Sequence, residues 1–453
     1  MNPHIFRQYD IRGVVEKDLP HEDVVKLGRA FGSWTRDEGG KTVVVGRDGR
    51  LTGPSLRDSL VEGILSTGCD VIDIGAVPTP LMYFAMYNLD GVDAGVQITG
   101  SHNPPDFNGF KMMMGHTTVW GDMIQDLYKR IVAENYTDGE GSVREADVVP
   151  SYMDWVVGNI HIDQPVRVAL DSGNGIAGAV APELFRRLGC EPVELFSEVD
   201  GTFPNHHPDP TVEENIQDLK ATVLDQQLQV GIGFDGDGDR IGAINDKGEI
   251  LWGDRLLALF ARYVLKEHPG ATIIGEVKCS KALYEDIEKH GGRGIMWKAG
   301  HSLLKVKLRE EEAKLAGEMS GHMFFNDKFF GYDDALYAAA RLVEILAKEE
   351  KPLSELLADL PDYPSTPEMR VDCPDEIKFS VVEKVADYFR DRYDVVDIDG
   401  VRVNFDHGWG LVRPSNTQPV LVMRFEASTD DLVQEYKATM EDVVNKIRKQ
   451  LEG

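Results

Sequence analysis

Cysteine is scarce. Only Cys69, Cys190, Cys279 and Cys373 occur in 453 residues, and no two form a C-x-x-C pair. That spacing gives no cysteine metal site and no disulfide framework, and it suits a reducing compartment. Long apolar runs are missing as well. The longest charge-free stretch, Ile74 to Leu89, contains Pro78 and Pro80 and is too short to cross a bilayer. The N-terminal MNPHIFRQYD has no cationic segment followed by an apolar run, so a cytoplasmic location is expected. Positive charge is in short supply: 48 Lys+Arg stand against 77 Asp+Glu, a formal net charge of −29. Such a chain is a poor nucleic-acid binder as a whole, and an anionic ligand would need a locally positive site. What is present, 42% apolar and 28% charged residues, is the composition of a globular protein. At this length it should divide into several domains.

Three copies of one pattern organise the chain. KTVVVGRDGR, PSLRDSLVEGILSTG and CDVIDIG make the first; VRVALDSGNG, IAGAVAPELFRRLG and CEPVELF the second; ATIIGEVKCS, KALYEDIEKHG and GRGIMWKAG the third. Each is a β-branched run, a polar or Gly-rich turn, a stretch at helical spacing, a glycine and another apolar run. A strand, crossover helix and parallel strand have this form. The copies begin near Val43, Val166 and Thr272, the spacing of whole domains rather than of a solenoid. Ligands of open α/β sheets gather beyond the carboxyl ends of the strands. The turns holding Arg47, Asp171 and Lys278 are therefore expected on the binding surface.

The tail differs. After Leu360–Pro367 (LPDYPSTP), read as a linker, come a helix near Phe379–Tyr393 and the strands VVDID, VRVNF, GLVRP and PVLVMRFEA. Ser428–Asp431 then resembles a capping box opening a long charged helix. The expected units are residues 1–145, 146–248, 249–364 and 365–453. The fold class is α/β, three related mixed α/β domains plus a C-terminal α+β domain.

Four motifs carry chemistry, and each alone also reads as an ordinary polar turn. TGSHNPP (Thr99–Pro105) places Ser101 just past a strand end, where a serine can act as nucleophile if activated. It is no nucleophile elbow, since Asn103 stands where that pattern needs glycine. DGDGDR (Asp235–Arg240) alternates three carboxylates with glycines, which lets the oxygens converge on a hard cation such as Mg²⁺. An EF-hand fails, because Arg240 and Asp246 stand where it needs Gly and Glu. GEMSGH (Gly317–His322) offers Glu318, Ser320 and His322, which an extended backbone would present on one side, suited to sugar hydroxyls. RPSNT (Arg413–Thr417) combines a guanidinium fork, two hydroxyls, an amide and turn N–H groups, a plausible phosphate cradle.

In this order the motifs resemble the α-D-phosphohexomutase family, over essentially the whole chain from Phe6–Gly13 (FRQYDIRG) to Arg413–Pro419 (RPSNTQP). The resemblance implies four domains around a central cleft. It makes Ser101 a phosphoserine that gives and receives the phosphoryl group. It assigns one Mg²⁺ to Asp235, Asp237 and Asp239, with a phosphoserine oxygen of Ser101 as a further ligand. Glu318 and Ser320 would hold hexose hydroxyls, while Arg413, Ser415, Asn416 and Thr417 would bind the distal phosphate. Tyr9, Arg12, Lys111, Arg240, Lys278 and His301 match cleft positions, Arg12 among the catalytic ones. Acid–base chemistry would fall to Lys111, His322 or His102, and sequence does not choose among them.

GEMSGH with RPSNT is similar to the bifunctional phosphomannomutase/phosphoglucomutase branch. Phosphoglucosamine mutases usually carry Gln where Met319 stands, and Gly-Thr where Asn416–Thr417 stand. The implied reaction interconverts hexose 1- and 6-phosphates, of mannose and/or glucose, through a hexose 1,6-bisphosphate that is also the activator. The implied partners are small sugar phosphates, with neither nucleic acid nor membrane, in a monomer or weak homo-oligomer. Alternatives are a phosphoglucosamine mutase, a metal-dependent serine phosphatase and a non-catalytic Ca²⁺-dependent sugar-binding protein. For the −29, the expectation is an acidic shell surrounding a positive cleft.

Overall fold

Three of the four sheets are wired alike. In the first, Asp70–Ala76 runs parallel to Thr42–Arg47, which is parallel to Ala94–Ile98, which pairs antiparallel with Phe107–Met114. Glu191–Leu195, Arg167–Asp171, Val230–Phe234 and Ile241–Asn245 repeat that order in the second. Arg293–Trp297, Thr272–Glu276, Leu315–Gly317 and Met323–Phe325 repeat it in the third. The computed structural model describes residues 1–349, 351–415 and 419–452. Asn416 and Thr417 lie outside the described residues.

The wiring has a consequence for the motifs. The hairpin joining the third and fourth strands carries TGSHNPP in the first sheet, DGDGD in the second and GEMSGH in the third. One structural position is thus used three times. The expectation for the first-strand turns holds only at Lys278, which lines the central cavity. Arg47 instead lines a separate cavity with Asp73 and Glu145, and Asp171 pairs with His206 at 3.1 Å. A crossover turn must fold back at once to begin its helix on the sheet face, whereas a hairpin can project beyond the sheet.

The second repeat departs from its expected single helix. A 3₁₀ turn, Ile176–Ala179, is followed by a separate helix, Ala181–Arg187, because Pro182 fits only the first turn of a helix. The first sheet also gains Ile11–Val14, antiparallel to Phe107–Met114, which sets Arg12 and Lys111 on neighbouring strands.

A single apolar core joins the first three domains. Helix Thr79–Asn88 is buried nearly all round and packs with Leu170, Phe185, Phe260 and the helix Ala335–Lys348. The C-terminal unit keeps a core of its own. Its antiparallel sheet orders Met369–Asp372, Val420–Ala427, Gly408–Pro414, Val401–Phe405 and Asp394–Val396. Helices Lys378–Arg390 and Asp430–Glu452 pack on it around Val381, Phe389, Met423 and Met440.

Several details of the tail differ from the sequence reading. The second half of the linker is already sheet edge, with Ala427 N donating to Pro364 O (3.0 Å) and Thr366 N to Phe425 O (2.9 Å). VVDID forms a strand only as far as Val396, and the following residues turn. The long helix is capped by Thr429, whose hydroxyl accepts from Leu432 N at 3.3 Å, one residue later than expected. Polar contacts fasten this unit to the third domain. Arg402, lying 3.8 Å over the Trp409 ring, donates to Val277 O and Cys279 O (2.6 and 2.9 Å), and Arg424 donates to Lys278 O (2.9 Å). No helix of the described residues is long and apolar enough to cross a membrane.

Candidate active site

Ser101 is buried and adopts a left-handed backbone, φ 49°. A non-glycine residue there costs about 1–3 kcal/mol and persists only where its surroundings enforce it. The enforcement comes from the preceding crossover turn. Arg50, itself buried, donates to the carbonyls of Ser101, Asn103, Pro104 and Phe107 at 2.6–2.9 Å. Asp48 pairs with Arg50 and accepts from the Thr99 hydroxyl (2.7 Å) and Gly100 N (3.2 Å). Neither residue belongs to a motif read from the sequence. Only the GRDGR turn, placed beside TGSHNPP by strand pairing, signals them. Arg50→Met would remove the donor to four carbonyls, that of Ser101 fully buried, and leave the buried Asp48 charge unpaired. It is expected to destabilise the protein by about 3–5 kcal/mol, a loss measurable as a lowered denaturant midpoint.

The acidic loop lies against the serine loop. Ser101 Oγ donates to Asp235 Oδ2 at 2.8 Å, with His102 Nδ1 3.2 Å from the same oxygen. A Cβ at Gly236 would stand 2.4 Å from Ser101 O, so glycine alone permits this approach. Asp235 Oδ1 accepts from the backbone N–H groups of Asp239 and Arg240, both 3.1 Å, curling the loop. Thr79, at the start of the central helix, anchors it from the first domain through its N–H to Asp237 O (2.9 Å).

Asp235, Asp237 and Asp239 are fully buried and bring carboxylate oxygens within 4.8 Å of one another. Burial, then Asp237 and Asp239, push the Asp235 carboxyl well above its ordinary range. Lys111 offsets part of this repulsion, its Nζ donating to Asp237 Oδ2 (2.7 Å) and to Asp239. Burial opposes the Lys111 charge, but Asp237 and Asp239 outweigh it and raise its pKa. Asp237 Oδ1 is buried without a hydrogen-bond donor among the described residues, and Asp239 Oδ1 has only His322 Nε2 near it, at 3.3 Å. Three converging hard oxygens with acceptors to spare fit a divalent cation.

GEMSGH is not extended. The strand Leu315–Gly317 ends at its first residue, and Glu318 N bonds His322 O (3.0 Å) across a tight turn, with Gly321 at φ 86°. The turn brings Glu318 and His322 together more directly than a strand would. His322 Nδ1 meets Glu318 Oε2 at 3.0 Å, and its Nε2 meets Asp239 Oδ1 at 3.3 Å. Burial disfavours the imidazolium, but Asp239 and Glu318 outweigh it and lift His322 to about 9. Against the same burial, His322 and Lys278 hold Glu318 down to about 2. Gly300 N adds a hydrogen bond to Glu318 Oε1 at 2.6 Å. Ser320 Oγ lies 3.1 Å from His322 Nδ1, and His301 stacks on His322. Behind His301 stand Asp333 and the buried Lys305, 2.8 Å apart, which no motif announces.

From the fourth domain, Arg413 enters beside Ser415, whose N–H donates to Val420 O (3.0 Å) and closes the base of the loop. Tyr9 reaches from the first domain to Ala299 O at 2.9 Å. All these groups open on one space. A cavity of about 530 Å³ is lined by Ser101, His102, Lys111 and His322 together with Tyr9, Arg12, Arg240, Lys278, His301, Arg413 and Ser415. It merges with a second of about 740 Å³ that adds Glu318, Met319 and Ser320. The first has seven cationic lining residues against three carboxylates, so it is locally positive within an acidic chain. Arg7, His207, Asp209, Glu368 and Arg370 line it unforeseen. Asp235, Asp237 and Asp239 lie behind its wall, reached through Ser101 and Lys111.

Four domain descriptions match this chain in order. Residues 3–137, 150–248 and 252–363 match phosphoglucomutase/phosphomannomutase alpha/beta/alpha domains I, II and III, and residues 368–443 match the C-terminal domain. The chain belongs to the phosphoglucomutase/phosphomannomutase family. It is 48% identical over 436 residues to a phosphomannomutase/phosphoglucomutase of Pseudomonas putida, covering 96% of this chain and 94% of that one. A Neisseria gonorrhoeae phosphoglucomutase is 44% identical over 97% of this chain and 96% of its own length. A solved phosphoglucomutase/phosphomannomutase family protein of Burkholderia thailandensis superposes with TM-score 0.94 at 46% identity, covering 99% of this chain and 98% of that one. A family of four such domains, three alike and one not, agrees with the triplicated sheet wiring described above.

Proposed function

We propose that this phosphoglucomutase/phosphomannomutase family member is a phosphohexomutase acting on mannose and glucose phosphates through Ser101. Its Oγ carries a phosphoryl group and transfers it to the free hydroxyl of a hexose 1- or 6-phosphate. The P–Oγ bond breaks as the new P–O sugar bond forms, and the hydroxyl proton passes to a base of the cleft. His102, with Nδ1 3.2 Å from Oγ, is the nearest imidazole. The resulting hexose 1,6-bisphosphate turns over and returns its other phosphoryl group to Ser101. The observation that carries this reading is the meeting of Ser101 Oγ and Asp235 at 2.8 Å, from two domains, at the floor of a cavity lined by the fourth domain's Arg413.

Phosphoryl transfer asks little covalent help of the protein, so positioning and charge do most of the work. Asp235, Asp237 and Asp239 would hold Mg²⁺, which would neutralise charge developing on the phosphoryl oxygens. Lys111, bonded to Asp237 and Asp239 and lining the cavity with Ser101, would add positive charge there. Glu318 and Ser320 take the sugar hydroxyls, and Arg413 with Ser415 takes the distal phosphate in both orientations of the intermediate. Arg12, Arg240 and Lys278 offset the remaining charge. An assay with glucose 1-phosphate or mannose 1-phosphate, Mg²⁺ and a trace of hexose bisphosphate tests the reading. Formation of the 6-phosphate is expected. Steady release of inorganic phosphate without isomer would instead mark a phosphatase.

Arg413→Ala is expected to raise KM for the sugar phosphate about 10–100-fold, the loss of one charge-assisted contact. Ser101 should remain phosphorylated in that variant by intact mass. Undiminished kcat/KM would remove the arginine from the phosphate site.

A further inference from the structure

A carboxylate stands inside the region assigned to a phosphate. Asp399 is nearly buried and meets the Arg413 guanidinium with both oxygens, at 3.0 and 3.2 Å from one terminal nitrogen. By charge alone it should repel the ligand, so its placement needs a reason. Its surroundings supply one. The neighbouring Gly400 has φ 82°, and a Cβ there would lie 2.5 Å from Arg413 Cβ, so the Asp-Gly turn is fitted closely onto that arginine. Asp399 Oδ2 also accepts from Ala299 N at 3.1 Å, across the boundary with the third domain. The next N–H, of Gly300, holds Glu318. Arg413 itself lines the central cavity beside Ser415, so the guanidinium that Asp399 holds borders the space a ligand would fill.

We propose that Asp399 is a positioning residue for the mutase reaction: it aims Arg413 at the distal phosphate and ties that arginine to the Ala299–Gly300 turn, whose next N–H holds the sugar-binding Glu318. The inference rests on the function proposed above. A guanidinium gripped on one terminal nitrogen keeps its other donors free and fixed in direction, which a mobile arginine could not do without losing side-chain entropy on each binding event. Because the same carboxylate reaches Ala299, the phosphate and sugar contacts keep a set separation as the intermediate reverses.

The test is a double-mutant cycle with Asp399→Ala and Arg413→Ala, each assayed for kcat and KM with glucose 1-phosphate. In the wild-type background, Asp399→Ala should raise KM about tenfold with kcat changed less than about threefold. In the Arg413→Ala background it should change KM less than about twofold. Asp399→Asn, which keeps an acceptor for Ala299 N but no charge, should lie between wild type and alanine. An equal effect in both backgrounds would show a merely structural residue, and an unchanged or lowered KM in the wild-type background would show a competitor of the phosphate. Either result overturns the inference while leaving the mutase reading intact. A wild-type protein with no mutase turnover would overturn both.

Discussion

Ser101→Ala is expected to lower mutase kcat at least about 10⁴-fold, the order seen when a covalent nucleophile is removed. The fold should survive. Among the described residues the Ser101 hydroxyl bonds Asp235 and His102, whereas the loop is held by its own backbone through Arg50, Asp48 and Thr99. Removing a hydroxyl that donates to Asp235 does leave that carboxylate with one partner fewer. Asp235 keeps the backbone N–H groups of Asp239 and Arg240, so losing one partner should not unfold the loop. Coupled turnover assays and intact mass check both halves: the variant should be inactive, and it should lack the phosphate of the wild type. A variant retaining a tenth of wild-type kcat would place the transfer elsewhere.

Asp239→Asn is the second large expected effect. Asp239 serves three partners at once, Lys111, His322 and any cation held by the triad. Its amide would weaken all three, and a loss of about 10³-fold in kcat is expected, as for removal of a preorganised electrostatic group. The readout independent of turnover is thermal. Mg²⁺ binding only the folded state should raise the wild-type Tm by mass action, and the shift should be absent in the variant. Equal Mg²⁺-induced shifts in both proteins would remove Asp239 from the metal site. Asp239 also holds His322 near pKa 9. The stability from that raised pKa is present below the ordinary imidazole range and fades as pH rises through about 9, so the variant should lose part of this dependence.

Much of the architecture was legible in the sequence, for a physical reason. Each α/β repeat writes its first strand, helix and second strand as a change of hydrophobic period, and the four motifs are short and local. The pairing of the motif loops was not legible. Whether Ser101 and Asp235 meet depends on Gly236 admitting Ser101 O at close range and on hairpins that project equally from two sheets, neither of which a local pattern encodes. GEMSGH read as extended because its polar residues alternate, yet Gly321 closes it into a turn that joins Glu318 to His322. Arg50, Lys305, Asp333 and Asp399 act through groups far away in sequence. Charged residues scattered along a chain with 28% charged residues give no signal until folding places them.

The overall charge illustrates the same limit. A formal net charge of −29 argues against an anionic ligand only if charge is averaged over the molecule. With a Debye length of about 8 Å at physiological salt, remote carboxylates are screened, and the lining of the cleft decides. That lining, from Arg7 and Arg12 to Arg413, is cationic.

The most direct test follows the phosphoryl group itself. Protein carrying ³²P at Ser101, labelled from hexose 1,6-bisphosphate and freed of it, is mixed with unlabelled glucose 1-phosphate and Mg²⁺ for a single turnover. Label should leave the protein and be recovered in hexose bisphosphate and glucose 6-phosphate, with none transferred by the Ser101→Ala variant. Label that stays on the protein, or leaves only as inorganic phosphate, would contradict the account.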